Sequence, residues 1–192
     1  MANKSYHDKF IQLIKMLKSG NQSERKVAIT KLVDLTQERL FRFTIYLTAN
    51  REIAHDIVQD TYLTMLEKIH QLKNPASFQA WLNKLARNKW LDYIKSPRND
   101  PRRHITTYLE KLPGAQNEEK TNERLDIIKI FGLLSPKDRE ILALIDLEGH
   151  SYAEASEIID ISENALKSRL HRARKEFFKY FDETFDGDKS SK

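Results

Sequence analysis

No cysteine occurs anywhere in the chain. That absence removes disulfides, thiolate metal sites and a cysteine nucleophile, and it fits a reducing compartment. Glycine and proline are scarce, five of each in 192 residues. An all-β protein would need a turn roughly every ten residues, so the scarcity argues against one. No apolar run approaches ~18 residues, so no membrane insertion is expected. The opening stretch, MANKSYHDKF, has no apolar segment of the signal-peptide kind. The six histidines are scattered and none pairs with another at helical ligand spacing. The glycines are isolated, so no phosphate-cradling loop is present. Asp56 and Asp60 could share a Mg²⁺ ion, but no second acidic cluster converges on them in the sequence. No metal, no cofactor and no enzymatic activity are therefore expected. The charges nearly cancel, 33 Lys and Arg against 28 Asp and Glu, so the sum of +5 names no partner and the distribution has to.

What is present is helical periodicity. Phe10, Leu13, Ile14 and Leu17 recur at three and four residues within 5–19. Val27, Leu32, Leu35, Leu40, Phe43 and Leu47 continue the pattern over 24–48, and Ile53, Ile57, Val58, Met65, Leu66 and Ile69 over 51–70. Asn74-Pro75 breaks it. Ser77 stands at an N-cap position before Phe78, Trp81, Leu82, Leu85 and Ile94. Residues 96–123 hold Pro97, Pro101, Pro113, Gly114 and the polar run from Gln116 to Glu123, which reads as a flexible linker. Ile105, Tyr108, Leu109 and Leu112 keep helical spacing inside it, so a short docked helix is an open alternative there. Helices resume near 123–133, 136–148, 151–159 and 163–180, and the polar tail from Asp182 reads as disordered. The expected architecture is all-α: two small helical domains, 1–95 and 124–181, joined by a linker over 96–123 and followed by a tail over 182–192.

The last two helices are separated only by Asp160-Ile161-Ser162. Ile158, Ile161 and Leu166 can fill the corner between them, and Ser162 can cap the second. Ser151 and Glu154 form a capping-box pattern at the start of the first. This is the layout of a helix-turn-helix, whose second helix enters the DNA major groove. From Leu133 to Glu163 two basic residues face eight acidic ones, a balance of −6. From Lys167 to Lys179 six basic residues face one acidic, a balance of +5. Such segregation gives one helix a positive field suited to phosphates. A solvated basic face is the plain alternative, and charge alone would favour it. Asn164, Lys167 and Ser168 lie in the early turns and can reach bases. Arg169, Arg172 and Arg174 are placed for phosphates or a guanine.

Several stretches resemble a known family. Leu134 to Glu140 (LSPKDRE), Gly149 to Ala155 (GHSYAEA) and Leu166 to Arg174 (LKSRLHRAR) resemble region four of bacterial RNA polymerase sigma factors, more narrowly the extracytoplasmic-function (ECF) group. Asp56 to Tyr62 (DIVQDTY) resembles the region-two helix that docks on core polymerase. Phe78 to Leu82 (FQAWL), Leu85 to Asn88 (LARN) and Asp92 resemble the rest of region two. The motif sets come in family order and cover most of the chain. Three departures stand out. Asp160 occupies a turn position where family members usually carry Gly, and Asp tolerates a left-handed backbone better than most residues. Glu163-Asn164-Ala165 replaces the usual Gly-Thr-Val, which alters residues near the DNA. Trp90 sits where a small residue is common.

The resemblance implies a sigma factor that binds core RNA polymerase and directs promoter recognition and transcription initiation in the cytoplasm, nucleoid-associated when bound. It places Asp56, Gln59 and Asp60 against the polymerase. It places Lys84, Arg87, Asn88 and Lys95 along the minus-ten element, partly as single-stranded DNA, which needs a basic track for the backbone. It places Asn164, Lys167, Ser168, Arg169, Arg172 and Arg174 on the minus-thirty-five element as duplex. An anti-sigma factor is the further partner that family members often have. Two other readings stay open from the residues alone: a free-standing helix-turn-helix regulator of operators, and a protein that only sequesters a partner through its helices. Trp81, at helical spacing with Phe78, Leu82 and Leu85, is expected in the core, and Trp90 is ambiguous.

Overall fold

A computed structural model describes residues 2–96 and 118–186, with side chains from 9 to 96 and from 125 to 185. The Ile105–Leu112 pattern lies outside the described residues. Four helices make the N-terminal half: α1 (Ala2–Ser19), α2 (Gln22–Thr48), α3 (Arg51–Lys68) and α4 (Phe78–Lys95). Two 3-10 turns, Ile69–Gln71 and Pro75–Ser77, join α3 to α4. Four more make the C-terminal half: α5 (Glu118–Leu133), α6 (Pro136–Leu142), α7 (Tyr152–Ile159) and α8 (Glu163–Asp186). No strand occurs among the described residues.

Local chemistry sets the helix ends. Asn21 and Glu24 form a reciprocal capping box on α2, and the Asn50 side chain accepts from the Ile53 amide to start α3. Each such cap is worth about 1 kcal/mol. Ser77 differs from expectation: its side chain makes no cap hydrogen bond, and it closes the 3-10 turn that Asn74 caps from Pro75 onward. Ser135 caps α6 with Pro136 at its first position, where the missing N–H costs nothing. Two helices outrun the sequence reading. The polar stretch before Glu123 contains Glu118, Glu119 and Lys120, good helix formers, and α5 begins at Glu118 inside the segment read as linker. At the far end α8 continues to Asp186 rather than ending near 181. Phe177, Phe181 and Phe185 support it as a ladder at four-residue spacing, with ring centroids 6.1 and 4.5 Å apart.

Leu13, Ile14 and Leu17 of α1 pack with Leu32, Leu40, Phe43 and Leu47 of α2, Ile57 and Met65 of α3, and Phe78 and Leu82 of α4. Trp90, ambiguous in the sequence, is 2% exposed and belongs to this core. Trp81 is partly buried beside Phe78, with ring centroids 6.1 Å apart. In the C-terminal half Ile141, Leu144, Ile158, Leu166 and Leu170 are buried together. The halves are packed on each other. α2 meets α5 and α6, and α4 meets α7. The Tyr46 and Phe131 rings lie 4.8 Å apart across this junction. Gly132 of α5 faces Ala49 there, and a Cβ on it would meet the Ala49 Cβ at 3.4 Å, in van der Waals contact.

Ala49 ends α2 with φ 48 and ψ 28, a left-handed conformation. For an L residue with a Cβ that conformation costs roughly 1–2 kcal/mol, and glycine adopts it freely. Ala49→Gly should therefore raise stability by about 0.5–1 kcal/mol in urea denaturation, after the entropy glycine adds to the unfolded chain is subtracted. A lower midpoint for the glycine variant would show that the Ala49 methyl group matters more to the junction than the backbone strain.

Candidate nucleic-acid and partner interfaces

The helix-turn-helix is formed by α7, α8 and the three residues between them. Ser151 and Glu154 close the capping box on α7, and hydrogen bonds from Ser151 to its carboxylate hold Glu154 below the usual carboxylate range. Gly149 precedes this start with φ 71, which a glycine adopts without penalty. Asp160 has φ 63 and ψ 53, the left-handed turn the sequence implied. Its backbone position lets the Ile161 amide donate to the Ser156 carbonyl at 3.1 Å. Ser162 Oγ then accepts from the Ala165 amide at 3.3 Å. Leu166, Leu170 and Ala173 are buried, which orients α8 with its polar face outward.

On that face Asn164, Lys167, Ser168 and Arg172 are exposed and Arg169 is half-buried. Arg169, Arg172 and Lys175 of α8 share a groove with Lys137 of α6, and Asp138 and Glu176 line it as well. Arg174 departs from this set. Its Nε donates to Asp146 Oδ2 at 3.1 Å and a terminal nitrogen donates to Oδ1, a bidentate pair within the domain. Lys167 Nζ lies 5.7 Å above the Tyr152 ring, so an aromatic on α7 sets the direction of a cation on α8.

On α3, Asp56, Gln59 and Asp60 are exposed on one face. Glu52 and Glu67 extend the acidic stripe, and Leu63, 61% exposed, sits among them. The hydropathy pattern of α3 did not single out Leu63. Its signal is spacing, since it follows Asp56, Gln59 and Asp60 at seven, four and three residues.

The α4 candidates divide. Asn88 and Lys95 are exposed. Lys84 and Arg87 are turned toward the C-terminal half. Lys84 Nζ donates to the Glu157 carbonyl at 3.2 Å. Arg87 Nε donates to Glu140, and its terminal nitrogen to the Ile159 carbonyl at 3.3 Å. Burial pushes the Glu140 carboxyl up, and Arg87 pulls it back down.

Five further contacts cross the same junction. Arg39 of α2 donates from Nε to Glu148 Oε2 and from a terminal nitrogen to the Glu148 carbonyl, both at 2.6 Å. Arg42 approaches Glu148 Oε1 at 3.7 Å. The Asn83 amide and His150 Nε2 are 2.9 Å apart. The Arg139 guanidinium, lowered by burial to about 10, reaches the Leu47 carbonyl at 3.3 Å. Arg39, Arg42, Asn83, Glu140, Glu148 and His150 were not legible as a set. Their partners lie 53 to 109 positions away in the chain. A five-residue π-helical turn, Ala143–Leu147, ends α6 and presents Glu148 to α2. Nothing in that sequence forecasts a π turn.

Two family models match the chain: "Sigma-70 region 2" over residues 32–99 and "Sigma-70, region 4" over residues 124–177. Among curated proteins, the ECF RNA polymerase sigma factor SigE of Mycolicibacterium smegmatis is 25% identical over 155 residues, 78% of this chain and 60% of its own length. A probable RNA polymerase sigma factor, RfaY of Xanthomonas campestris, is 27% identical over 77% of this chain and 38% of its own length. SigM of Bacillus subtilis, also an ECF sigma factor, is 27% identical over 77% of this chain and 91% of its own length. This chain thus spans less than two thirds of the first two relatives and most of the third. Among solved structures, the sigma factor RpoE of Bartonella quintana, in complex with the anti-sigma factor NepR, matches with TM-score 0.67 and 24% identity. That match covers 80% of this chain and 96% of RpoE. CnrH, in complex with the cytosolic domain of CnrY, matches with TM-score 0.64 and 23% identity over 88% of this chain and 95% of its own. These two likenesses concern the fold. The two region models together cover more than half of the chain, in family order, and the chain belongs to the sigma-70 family of RNA polymerase sigma factors, in its ECF group. Members of that family select promoters for the polymerase. Among the described residues no helix is long and apolar enough to cross a membrane.

His150 makes the junction sensitive to pH. Burial holds its imidazole below the ordinary range, against the pull of Glu154 and Glu148. The neutral ring, protonated on Nδ1, accepts from the Asn83 amide at Nε2, and a second proton would end that bond. The folded chain therefore binds this proton less readily than the unfolded chain. The contribution is present above the ordinary imidazole value of about 6.5 and is lost as pH falls from there through the lowered one. Urea midpoints of the wild type should fall more steeply below about pH 6.5 than those of His150→Gln. Parallel curves would assign the titration to another group.

Proposed function

We propose that this chain is a promoter-specificity subunit: it binds core RNA polymerase through α3 and directs initiation at promoters through α4 and α8. The observation that carries this reading is the order of the two region matches over helices that bear, respectively, the exposed acidic stripe and the helix-turn-helix. Residues 1–95 would hold the polymerase-docking and minus-ten surfaces, and 124–181 the minus-thirty-five surface. Asp56, Gln59 and Asp60 meet a basic surface of the polymerase, with Leu63 supplying apolar contact at their centre. Lys84, Arg87, Asn88 and Lys95 track the backbone of the opened strand. Asn164, Lys167 and Ser168 reach base edges, while Arg169 and Arg172 hold phosphates. Arg174, already paired with Asp146, contributes to DNA binding only when that pair opens. The cytoplasm is the compartment where polymerase and promoter are met. An anti-sigma factor is a fitting regulator, since both structural likenesses are to chains held in complexes, one of them with an anti-sigma factor by name.

Run-off transcription with core polymerase tests the reading directly. Initiation from a fixed start should require this chain. Tight operator binding by the isolated chain at physiological salt, without any polymerase-dependent initiation, would instead favour a free-standing regulator.

Two substitutions separate the surfaces. Asp60→Lys reverses a charge on the docking face and should weaken polymerase binding by about tenfold or more, the scale of a lost charged hydrogen bond. Arg172→Ala should leave polymerase affinity unchanged, lower promoter use, and reduce the salt slope of DNA binding by about one. Unchanged polymerase affinity in Asp60→Lys would remove α3 from the docking role.

A further inference from the structure

We propose that Glu163 reads a cytosine of the minus-thirty-five element, and that Tyr152 is the positioning residue that leaves Glu163 free to do so by holding Lys167 away from it. This rests on the reading of α8 as the minus-thirty-five helix.

Glu163 is the first residue of α8 and is exposed. Lys167 follows it by four, and Glu ahead of Lys at that spacing is the favourable order for a helical ion pair. The pair is not made. Among the described residues Glu163 has no salt bridge, and Lys167 Nζ lies 5.7 Å above the Tyr152 ring instead. At an exposed site the pull of a ring on a cation is at least as large as that of a helical ion pair, so one aromatic side chain decides the matter. Tyr152 is the first residue of α7, and the Ser151–Glu154 capping box fixes its backbone. It bears also on Arg174, which is held above its ordinary value first by Asp146 and further by Tyr152. The tyrosine thus lies along the face of α8 that carries Lys167 and Arg174. The helix does not need Glu163 as a cap either, since Ser162 Oγ accepts from the Ala165 amide.

The chemistry then selects the base. An ionised carboxylate only accepts hydrogen bonds. In the major groove cytosine offers the N4 donor and no acceptor. Guanine offers N7 and O6, thymine offers O4, and adenine sets its N7 acceptor beside its N6 donor. A carboxylate at the groove floor therefore favours cytosine and is repelled by the alternatives, and repulsion of wrong partners is half of specificity. Lys167, with three donors and no acceptor, suits guanine. Were Glu163 and Lys167 paired with each other, each would cancel the other's preference.

Random-sequence duplex DNA, selected by holoenzyme reconstituted from core polymerase and the full chain and then sequenced, reports base preference position by position. The wild type should enrich cytosine at one minus-thirty-five position by about tenfold, the scale of one good base contact. Glu163→Ala should abolish that enrichment while circular dichroism keeps its helical signal. Glu163→Gln should move the preference toward adenine, because an amide donates to N7 and accepts from N6. Tyr152→Leu should lower the cytosine enrichment toward that of Glu163→Ala, and Tyr152→Phe, which keeps the ring, should retain it. A carboxylate that only favours the start of a helix through the dipole would change stability and leave the base profile alone. A profile unchanged in Glu163→Ala overturns the base reading and leaves the promoter reading standing. A cytosine preference unchanged in Tyr152→Leu overturns the positioning. If the wild-type holoenzyme enriches no sequence at all, the promoter reading falls and the cytosine contact with it.

Discussion

Glu148 is the point on which the packing of the two halves turns. It follows a π turn that widens the end of α6, and the widening sets the carboxylate against α2 instead of solvent. Arg39 binds both its side chain and its carbonyl, so one residue of α2 fixes backbone and side chain of the other half together. Asn83 comes within 3.5 Å of the same carboxylate and 2.9 Å of His150, tying α4 into the cluster. Buried charges of this kind add little net stability over well-packed apolar residues, but they tolerate few alternative arrangements. The junction therefore specifies one docking register, and the apolar residues of both halves continue through it as one buried cluster.

The helices were legible because their signals are local. Three- and four-residue spacing, the Asn21–Glu24 and Ser151–Glu154 boxes, Ser135-Pro136 and the short Asp160-Ile161-Ser162 turn each act within a few residues. The exposed set on α8 follows from helical periodicity and charge, whereas the set on α3 came from the family resemblance. Errors came where one local signal masked another. Ser77 carries a capping side chain, but Asn74 starts the turn first. The polar residues before Glu123 read as linker although they are good helix formers. The tail after Phe181 reads as polar until the Phe181–Phe185 pair is counted as a helix contact.

What could not be read was how the two halves meet. Arg39 and Glu148 are separated by 109 positions, and Arg87 and Glu140 by 53. Each residue taken singly looks like a solvated charge on a helix. Only the segregation of charge hinted otherwise, and that hint lacked an address: an acidic stretch calls for a basic partner without naming it. The formal charge of +5 hides the same fact. Near-neutral totals can arise from surfaces that are strongly charged and face each other, and the pairing decides the function more than the sum does.

The two interfaces of the N-terminal half differ in how they stand in the packed chain. Asp56, Gln59, Asp60 and Leu63 on α3 are all exposed, so the stripe proposed for docking takes no part in the junction. Lys84 and Arg87 on α4 are engaged across it. On the proposed reading, the polymerase-facing stripe is available while two of the proposed DNA-facing cations are paired. Separating the halves would break more than the Glu148 cluster, since the Arg87–Glu140 pair, the Arg139 contact with the Leu47 carbonyl and the Tyr46–Phe131 rings cross the same junction. Charges that read as background in the sequence thus divide into an exposed set on α3 and a paired set on α4, and the pairing across the junction makes that division.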